Sequence, residues 1–297
     1  QEGIDYRSTG FQVTTQGQNN DRLTNLLSGT RAISWLDSNS AYSYLSFFFR
    51  GEYNYKELYY AEVAARTDAS SRFGKDHRWG MFWSLGFMWN IKNEAFLKDI
   101  EWLTTAQIKL STGTSGNSEI PYYDHLALVS GNANYNDEAG IYPTQSGNEE
   151  LSWEQTWANN IGLSLSFFNR ANLNVDFYHK KTTNMLMLVP QSYAITGVGN
   201  RWDNIGAMMN RGVEIAIDGD VIRTKDFTWN LSANVSYNKN KLLELYNGVE
   251  EYVNSTTGLK YVVGHPVHEY FMNRYAGVNP ANGDALWYTA DGELTTE

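Results

Sequence analysis

The stretch ANNIGLSLSFFNRANLNVDFY, residues 158–178, decides the fold class. Ile161, Leu163, Leu165 and Phe167 alternate with Asn160, Gly162, Ser164 and Ser166; after a short break, Leu173, Val175 and Phe177 alternate with Asn174, Asp176 and Tyr178. Successive side chains of a strand point to opposite faces, so this pattern predicts a hairpin that is apolar on one face and polar on the other. The fold class follows from what covers the apolar face.

The same period recurs on both sides of the hairpin. Leu45, Phe47, Phe49 and Tyr53 oppose Ser46, Arg50, Glu52 and Asn54, while Tyr59, Ala61, Val63 and Ala65 oppose Glu62 and Arg66. Trp83, Leu85, Phe87, Trp89 and Ile91 oppose Ser84, Gly86 and Asn90; Ala106, Ile108 and Leu110 oppose Gln107, Lys109 and Ser111. Further on, Val213, Ile215 and Ile217 oppose Glu214 and Asp218, and Trp229, Leu231, Ala233, Val235 and Tyr237 alternate with Asn230, Ser232, Asn234, Ser236 and Asn238. These are about eight strands, with a weaker ninth expected between Tyr261 and Tyr275. Short links near 55–57, 92–99, 169–172 and 219–226 alternate with long polar ones near 68–79, 113–152, 184–205 and 239–259, which places the long loops at one end of the sheet.

Composition narrows the partners. The 297 residues are 42% hydrophobic, with 20 Tyr and 10 Trp, which favours β structure. There is no cysteine, so neither a disulfide scaffold nor a cysteine-based metal or redox site is available. A formal charge of -10 without a basic block argues against nucleic acid as a partner. The longest apolar runs, such as LMLVP at 186–190, fall far short of the roughly 20 residues of a membrane-spanning helix. QEGIDYRSTG at the amino terminus does not read as a signal peptide.

A soluble antiparallel sandwich or barrel also alternates, because one of its faces packs on a core. Three features favour an outer-membrane barrel. The strands reach about ten residues, enough to cross a bilayer when tilted. Aromatic residues stand near the ends of the apolar rows, as Trp83 and Trp89 or Trp229 and Tyr237 do. The opposite rows are rich in Asn, Ser and charged groups, as a wet lumen requires, and the apolar rows avoid charge centrally; Arg211 is the awkward position. The expected fold is therefore all-β: an antiparallel up-and-down transmembrane β-barrel, with about eight to nine strands in this sequence.

The segment RTDASSRFGKDHRWGMFWSLGFMWNIKNEAFLKD, Arg66 to Asp99, resembles the barrel of the SusC/RagA-type TonB-dependent outer-membrane transporters of Bacteroidota. Arg66, Asp68, Ser70, Ser71, Phe73, Gly74, Arg78, Trp79, Gly80, Ser84, Trp89, Glu94 and Phe96 match its Arg-x-Asp-x-Ser-Ser-x-Phe-Gly, Arg-Trp-Gly, aromatic-strand and Glu-x-Phe elements. IKLSTGTSGNSEIPYY, NEELSWEQTWANNIGL, NIGAMMNRGVEI, NVSYNKNKLLEL and YAGVNPANGDALW resemble further elements of that family, in its order. The family has a plug domain, a TonB box and a barrel of about 22 strands; no plug is seen in this sequence, and it stops at GELTTE, so the resemblance implies an internal barrel segment spanning 1–297.

What the resemblance implies is import of oligosaccharide- or peptide-class nutrients across the bacterial outer membrane, driven through TonB, with outer-membrane lipid around the wall and a SusD-type lipoprotein as lid. A soluble glycan-binding β module, or a structural barrel without transport, is the alternative. For a sugar cargo, Tyr122, Tyr123, Tyr135, Tyr142 and Trp202 are stacking candidates, and Asp124, Asn134 and Asn200 hydrogen-bonding candidates; loops of a large barrel also use such aromatics to pack on one another.

The Asp68–Gly74 segment and Arg78 are expected to close a strand-to-loop junction rather than bind ligand. His265, His268 and Glu269 suggest metal ligands only superficially, since i and i+3 positions of a strand face opposite ways. No Gly-x-Ser-x-Gly elbow or P-loop occurs, TGVGNRW at 196–202 lacks a dinucleotide-loop context, and Glu214 and Asp218 read as lumen polarity. The chain is therefore not expected to be an enzyme, and no cofactor, metal or catalytic residue is assigned.

Overall fold

The computed structural model describes residues 1–17, 22, 29–254, 258–267, 269–270 and 272–296; at 32, 33, 35, 36, 132, 135 and 254 it describes the backbone alone. Its strands are β1 (Glu2–Gln16), β2 (Arg31–Tyr55), β3 (Tyr59–Ser70), β4 (Trp79–Asn90), β5 (Leu103–Asn117), β6 (Leu128–Tyr135), β7 (Glu138–Gln145), β8 (Glu154–Phe167), β9 (Ala171–Thr183), β10 (Leu186–Pro190), β11 (Asn200–Asn204), β12 (Ala207–Arg223) and β13 (Thr228–Glu244). The short strands β14 (Glu251–Asn254), β15 (Leu259–Val262), β16 (Glu269–Tyr270), β17 (Arg274–Val278), β18 (Ala285–Tyr288) and β19 (Leu294–Thr295) follow, and one helical turn, α1 (Tyr193–Thr196), precedes β11. A single antiparallel sheet runs β1-β2-β3-β4-β5-β8-β9-β12-β13, while β6–β7 and β10–β11 are hairpins inserted in its long connections.

The register joins the apolar rows into one continuous face. Leu85 and Phe87 of β4 lie opposite Val63 and Ala61 of β3. Across the sheet, Leu110, Ile161, Phe177, Val213 and Tyr237 are successive partners, as are Ile108, Leu163, Val175, Ile215 and Val235. Directly opposed residues share a face, so the polar partners collect on the other side: Ser164 with Asn174, and Asp176 with Glu214 and Ser236. Among the described residues no element packs over the apolar face; Leu231, Val235 and Tyr237 remain 57%, 62% and 68% exposed.

The apolar band does not run straight along these rows. Trp89, at the short-link end of β4, connects through Ile108, Leu163, Val175 and Ile215 to Val235, whereas the short-link end of the band on β13 is Trp229. Six residues of slippage are about 20 Å along the strand, against five strand spacings of about 24 Å across it, which corresponds to a strand tilt of about 40°. Closed membrane barrels tilt their strands by about 35–45°. The hydrophobic pattern thus carries the tilt that a barrel wall needs.

Short links at 56–58, 91–102, 168–170 and 224–227 gather at one end of the sheet; 71–78, 118–153 and 184–206 lie at the other. The tight hairpins are made with consecutive left-handed residues, Lys56 and Glu57 (φ 53° and 58°) and Phe168 and Asn169 (54° and 52°), the twist that suits two-residue turns.

One expectation is corrected: the ninth strand of the sheet is β1, at the amino terminus, and Tyr261 to Tyr275 forms parts of two small separate sheets instead. β1 pairs with Arg31–Ser46 of β2, at the margin of and beyond the apolar rows, so no bilayer selects a period of two in its sequence. β2 has 25 residues, and at about 3.3 Å each its far half projects well past a bilayer core of about 30 Å.

Candidate functional site

At the long-loop end, the polar face carries a compact core. Phe73, Phe82, Ile120, Leu151 and Trp153 are buried together, with Tyr44, Leu186 and Trp202 packed against them. Phe82 lies between outward Met81 and Trp83 on β4 and so points to the polar side. A Cβ on Gly80 would come within 2.9 Å of the Trp153 ring, and one on Gly116 would collide with the Phe82 ring; both positions need glycine for packing rather than for backbone freedom.

Hydrogen bonds tie the bases of three long connections to this core. Trp153 Nε1 donates to the Arg78 carbonyl (2.8 Å), which also accepts from Ser70 N (3.1 Å). Asn148 Nδ2 donates to the Trp202 carbonyl (3.0 Å), Ser152 N to Asn204 Oδ1 (2.7 Å), and Asn204 Nδ2 back to the Ser152 carbonyl (2.8 Å). Glu154 accepts from Leu186 N (3.1 Å) and Asn117 Nδ2 (3.3 Å). Below them Arg66 Nε donates to Asp68 Oδ1 at 2.6 Å and its Nη2 to Ser46 Oγ at 3.0 Å, with Asp68 and Ser46 buried. The most recognisable sequence elements, from Arg66 to Gly80 and from Asn148 to Glu154, therefore build a clamp that sets where the loops leave the wall.

The candidate ligand residues fall into separate groups. Tyr122 packs at a tilt on Tyr42 (ring centroids 4.9 Å) and edge-on to Tyr6 (6.2 Å), and the Arg72 guanidinium lies 5.0 Å from the centroids of both Tyr42 and Tyr122. Tyr123 adjoins this cluster and its hydroxyl accepts from Ala41 N at 2.8 Å. Asp124 follows; burial holds its carboxyl above the usual carboxylate range, against the opposing pull of His125. Asn134, Tyr135 and exposed Tyr142 sit on the β6–β7 hairpin, the side chain of Tyr135 lying outside the described residues. Asn200 and Trp202 are on β11, Trp202 committed to the clamp core.

The structure thus brings Tyr122, Tyr123 and Asp124 together and leaves the other five apart from them. It adds Tyr6, Tyr42 and Arg72, which the sequence reading missed because Tyr6 and Tyr42 are paired only by the β1–β2 register. Beside this cluster lies a cavity of about 330 Å³, lined by Tyr42, Tyr44, Ser70, Arg72, Asn117 and Trp153 among others. Elsewhere, His265 Nδ1 is 3.1 Å from Glu269 Oε2, His268 lies outside the described residues, and no group of three metal-ligating side chains occurs among the described residues.

An uncovered apolar face on tilted antiparallel strands, with clamped loops at one end, defines a section of the wall of a large outer-membrane barrel. The chain belongs to the TonB dependent receptor-like, beta-barrel family, whose model matches residues 1–295, and within it to the SusC/RagA type. It is 39% identical over 201 residues to the TonB-dependent receptor P39 of Formosa agariphila, covering 67% of this chain and 19% of that protein. It is 34% identical over 265 residues to the TonB-dependent receptor SusC of Bacteroides thetaiotaomicron, covering 82% of this chain and 26% of SusC. A chain of the RagAB peptide transporter superimposes with a TM-score of 0.88 at 35% identity, over 99% of this chain and 33% of that one. The chain thus spans about a fifth to a third of the proteins it matches.

Proposed function

We propose that residues 1–297 are part of the barrel of a TonB-dependent transporter that imports oligosaccharide- or peptide-class nutrients across the outer membrane. The observation that carries this reading is the continuous apolar face, uncovered among the described residues and slipped across the strands as a tilt of about 40° requires, in a chain that matches the receptor barrel over 1–295. The connections at 71–78, 118–153 and 184–206 face outward from the cell in this reading, since long loops of such barrels are extracellular; the expected loop bounds 113–152 and 239–259 are corrected by β5 and β13, which run on to Asn117 and Glu244. Energy enters through TonB and a plug domain elsewhere in the protein, and a SusD-type lipoprotein closes the mouth.

Support for a ligand subsite is concentrated at Tyr122. Tyr42 and Arg72 line the 330 Å³ cavity, and the rings of Tyr6 and Tyr122 pack beside Tyr42, so that flat apolar faces, a fixed cation and the Ser70 hydroxyl lie together. Tyr123 and Asp124 adjoin it, and Asn134, Tyr142 and Asn200 contribute, in this proposal, from the neighbouring hairpins, whereas Trp202 stays with the clamp core. No catalytic step belongs to the reading: of the lumen carboxylates, Asp218 is engaged by Asn172 Nδ2 at 2.9 Å.

The test uses the whole protein with its lid in cells that lack the native transporter. Uptake of labelled oligosaccharides and peptides is restored by the wild type and abolished by deletion of the TonB box; Tyr122→Ala, folding normally, lowers uptake of the cargo by roughly tenfold. Uptake independent of TonB contradicts the import reading.

A further inference from the structure

The apolar face ends, at its long-loop margin on β9, β12 and β13, in a cluster of cations. His179, Arg211 and Lys239 are directly opposed across the three strands, and Lys181, Met209 and Lys241 form the next row out. All six share the face of Phe177, Val213 and Tyr237, since they stand two or four residues from them on strands with unbroken register. On β8, Trp157 is opposite Lys181 and 52% exposed.

Three features set this cluster apart. It concentrates four permanent charges in a chain of net charge -10. From β3 to β13 no carboxylate shares the outward face until Glu244, beyond the irregularity where β13 leaves its pairing with Met208. Among the described residues none of the five basic groups forms an ion pair, whereas on the polar face Arg50 meets Glu62 at 3.1 Å and Arg66 meets Asp68 at 2.6 Å. Arg211 and Lys239, directly opposed, repel each other, and an anion from outside the sheet would relieve that repulsion. It stands where the apolar band gives way to the headgroup level, and a single-sign cluster there attracts phosphate-bearing lipid.

We propose that Lys181, Arg211, Lys239 and Lys241 bind the phosphates of the phosphorylated glycolipid of the outer leaflet, with His179 and Trp157 at the edges of the site. The inference rests on the outer-membrane placement and on the long-loop end facing outward. Arg211, awkward as a lumen or lipid residue, acquires a role at the boundary between them.

The experiment is native mass spectrometry of the full-length protein in detergent, titrated with diphosphorylated lipid A, with the same lipid dephosphorylated, and with inorganic phosphate as competitor. Wild type is expected to retain the phosphorylated lipid at least about tenfold better than the dephosphorylated one, and the K181Q/R211Q/K239Q/K241Q variant to lose that preference. Lys180→Gln, one residue away on the opposite face, is expected to keep it. Equal retention of the two lipids by wild type, or an unchanged preference in the folded variant, overturns the proposal, and displacement by inorganic phosphate at equal concentration overturns its assignment to lipid. If the variant fails to fold, the two-lipid comparison on wild type still decides. Uptake is read separately: a variant that loses lipid but imports normally supports the site, and lipid retention without TonB-dependent uptake counts against the import reading alone.

Discussion

The indole nitrogen of Trp153 donates to the carbonyl oxygen of Arg78 at 2.8 Å, joining two loop bases 75 residues apart. The same indole packs on Phe73 and Phe82, with ring centroids 5.5 Å and 5.4 Å away. One side chain thus fixes the exits of two long loops on the inner face of the wall.

Trp153→Ala is therefore expected to destabilise the whole barrel by about 3–5 kcal/mol, the usual cost of deleting a buried aromatic side chain. Trp153→Phe, which keeps most of the packing and loses the hydrogen bond, is expected to cost about 1–3 kcal/mol. Denaturant titration of the purified transporter, followed by the gel-mobility shift of folded barrels, ranks the two.

Gly116→Ala places a methyl group against the Phe82 ring and is expected to destabilise by about 1–3 kcal/mol. Gly131→Ala, where a Cβ meets nothing within 4 Å, serves as the comparison and should stay within about 0.5 kcal/mol. Adding Phe82→Leu to Gly116→Ala should recover part of the loss. Additive effects would mean that the ring is not the obstacle.

Charge on the two faces is expected to have opposite consequences. Ile215 lies in the middle of the apolar band and Ala216 beside it faces Asn174 and Asn234 on the polar side. Ile215→Lys should cost about 2–4 kcal/mol in a bilayer, and Ala216→Lys little. Folding yields into lipid vesicles measure the difference.

Asp124 supplies a pH dependence in the Tyr122 loop. Its carboxyl is raised by burial, so the folded loop binds the proton more tightly than the unfolded one. The packed turn is accordingly favoured at low pH and weakens as pH rises through the raised value, where the carboxylate must ionise while half-buried. Hydrogen exchange of Tyr122–Leu126, corrected for intrinsic rates, should show protection falling across that range in the wild type and level in Asp124→Asn.

Most of the wall was legible because a bilayer enforces a period of two. The alternating rows from Phe47 to Tyr237 recur in the register except at Ile91, which opens a 3-10 turn after β4, and the SusC/RagA resemblance is upheld by the family match. The expectation of a structural role for Asp68 to Gly74 and Arg78 agrees with their hydrogen bonds to neighbouring backbone and to Trp153, but Ser70 and Arg72 also line the cavity beside Tyr42, where the proposed subsite uses them. β1 escaped because it pairs along the margin of the band and beyond it, where no lipid imposes alternation. The loop site was only partly readable: Tyr122 and Tyr123 are adjacent in sequence, but their partners Tyr6, Tyr42 and Arg72 come from two strands and a distant turn. Trp202, singled out by its ring, is drawn into the clamp, where it packs against the buried cluster of Phe73, Phe82, Ile120, Leu151 and Trp153.

The central claim is that lipid covers the greasy side of these strands. The segment has no native cysteine, so single nitroxide labels can be placed along Trp229–Tyr237 of the full-length protein in liposomes. The account predicts that Leu231, Ala233 and Val235 report contact with lipid-soluble oxygen and Asn230, Ser232 and Asn234 with a water-soluble nickel chelate. Labels at Leu231, Ala233 and Val235 that are shielded from both reagents, as beneath another protein layer, would contradict it.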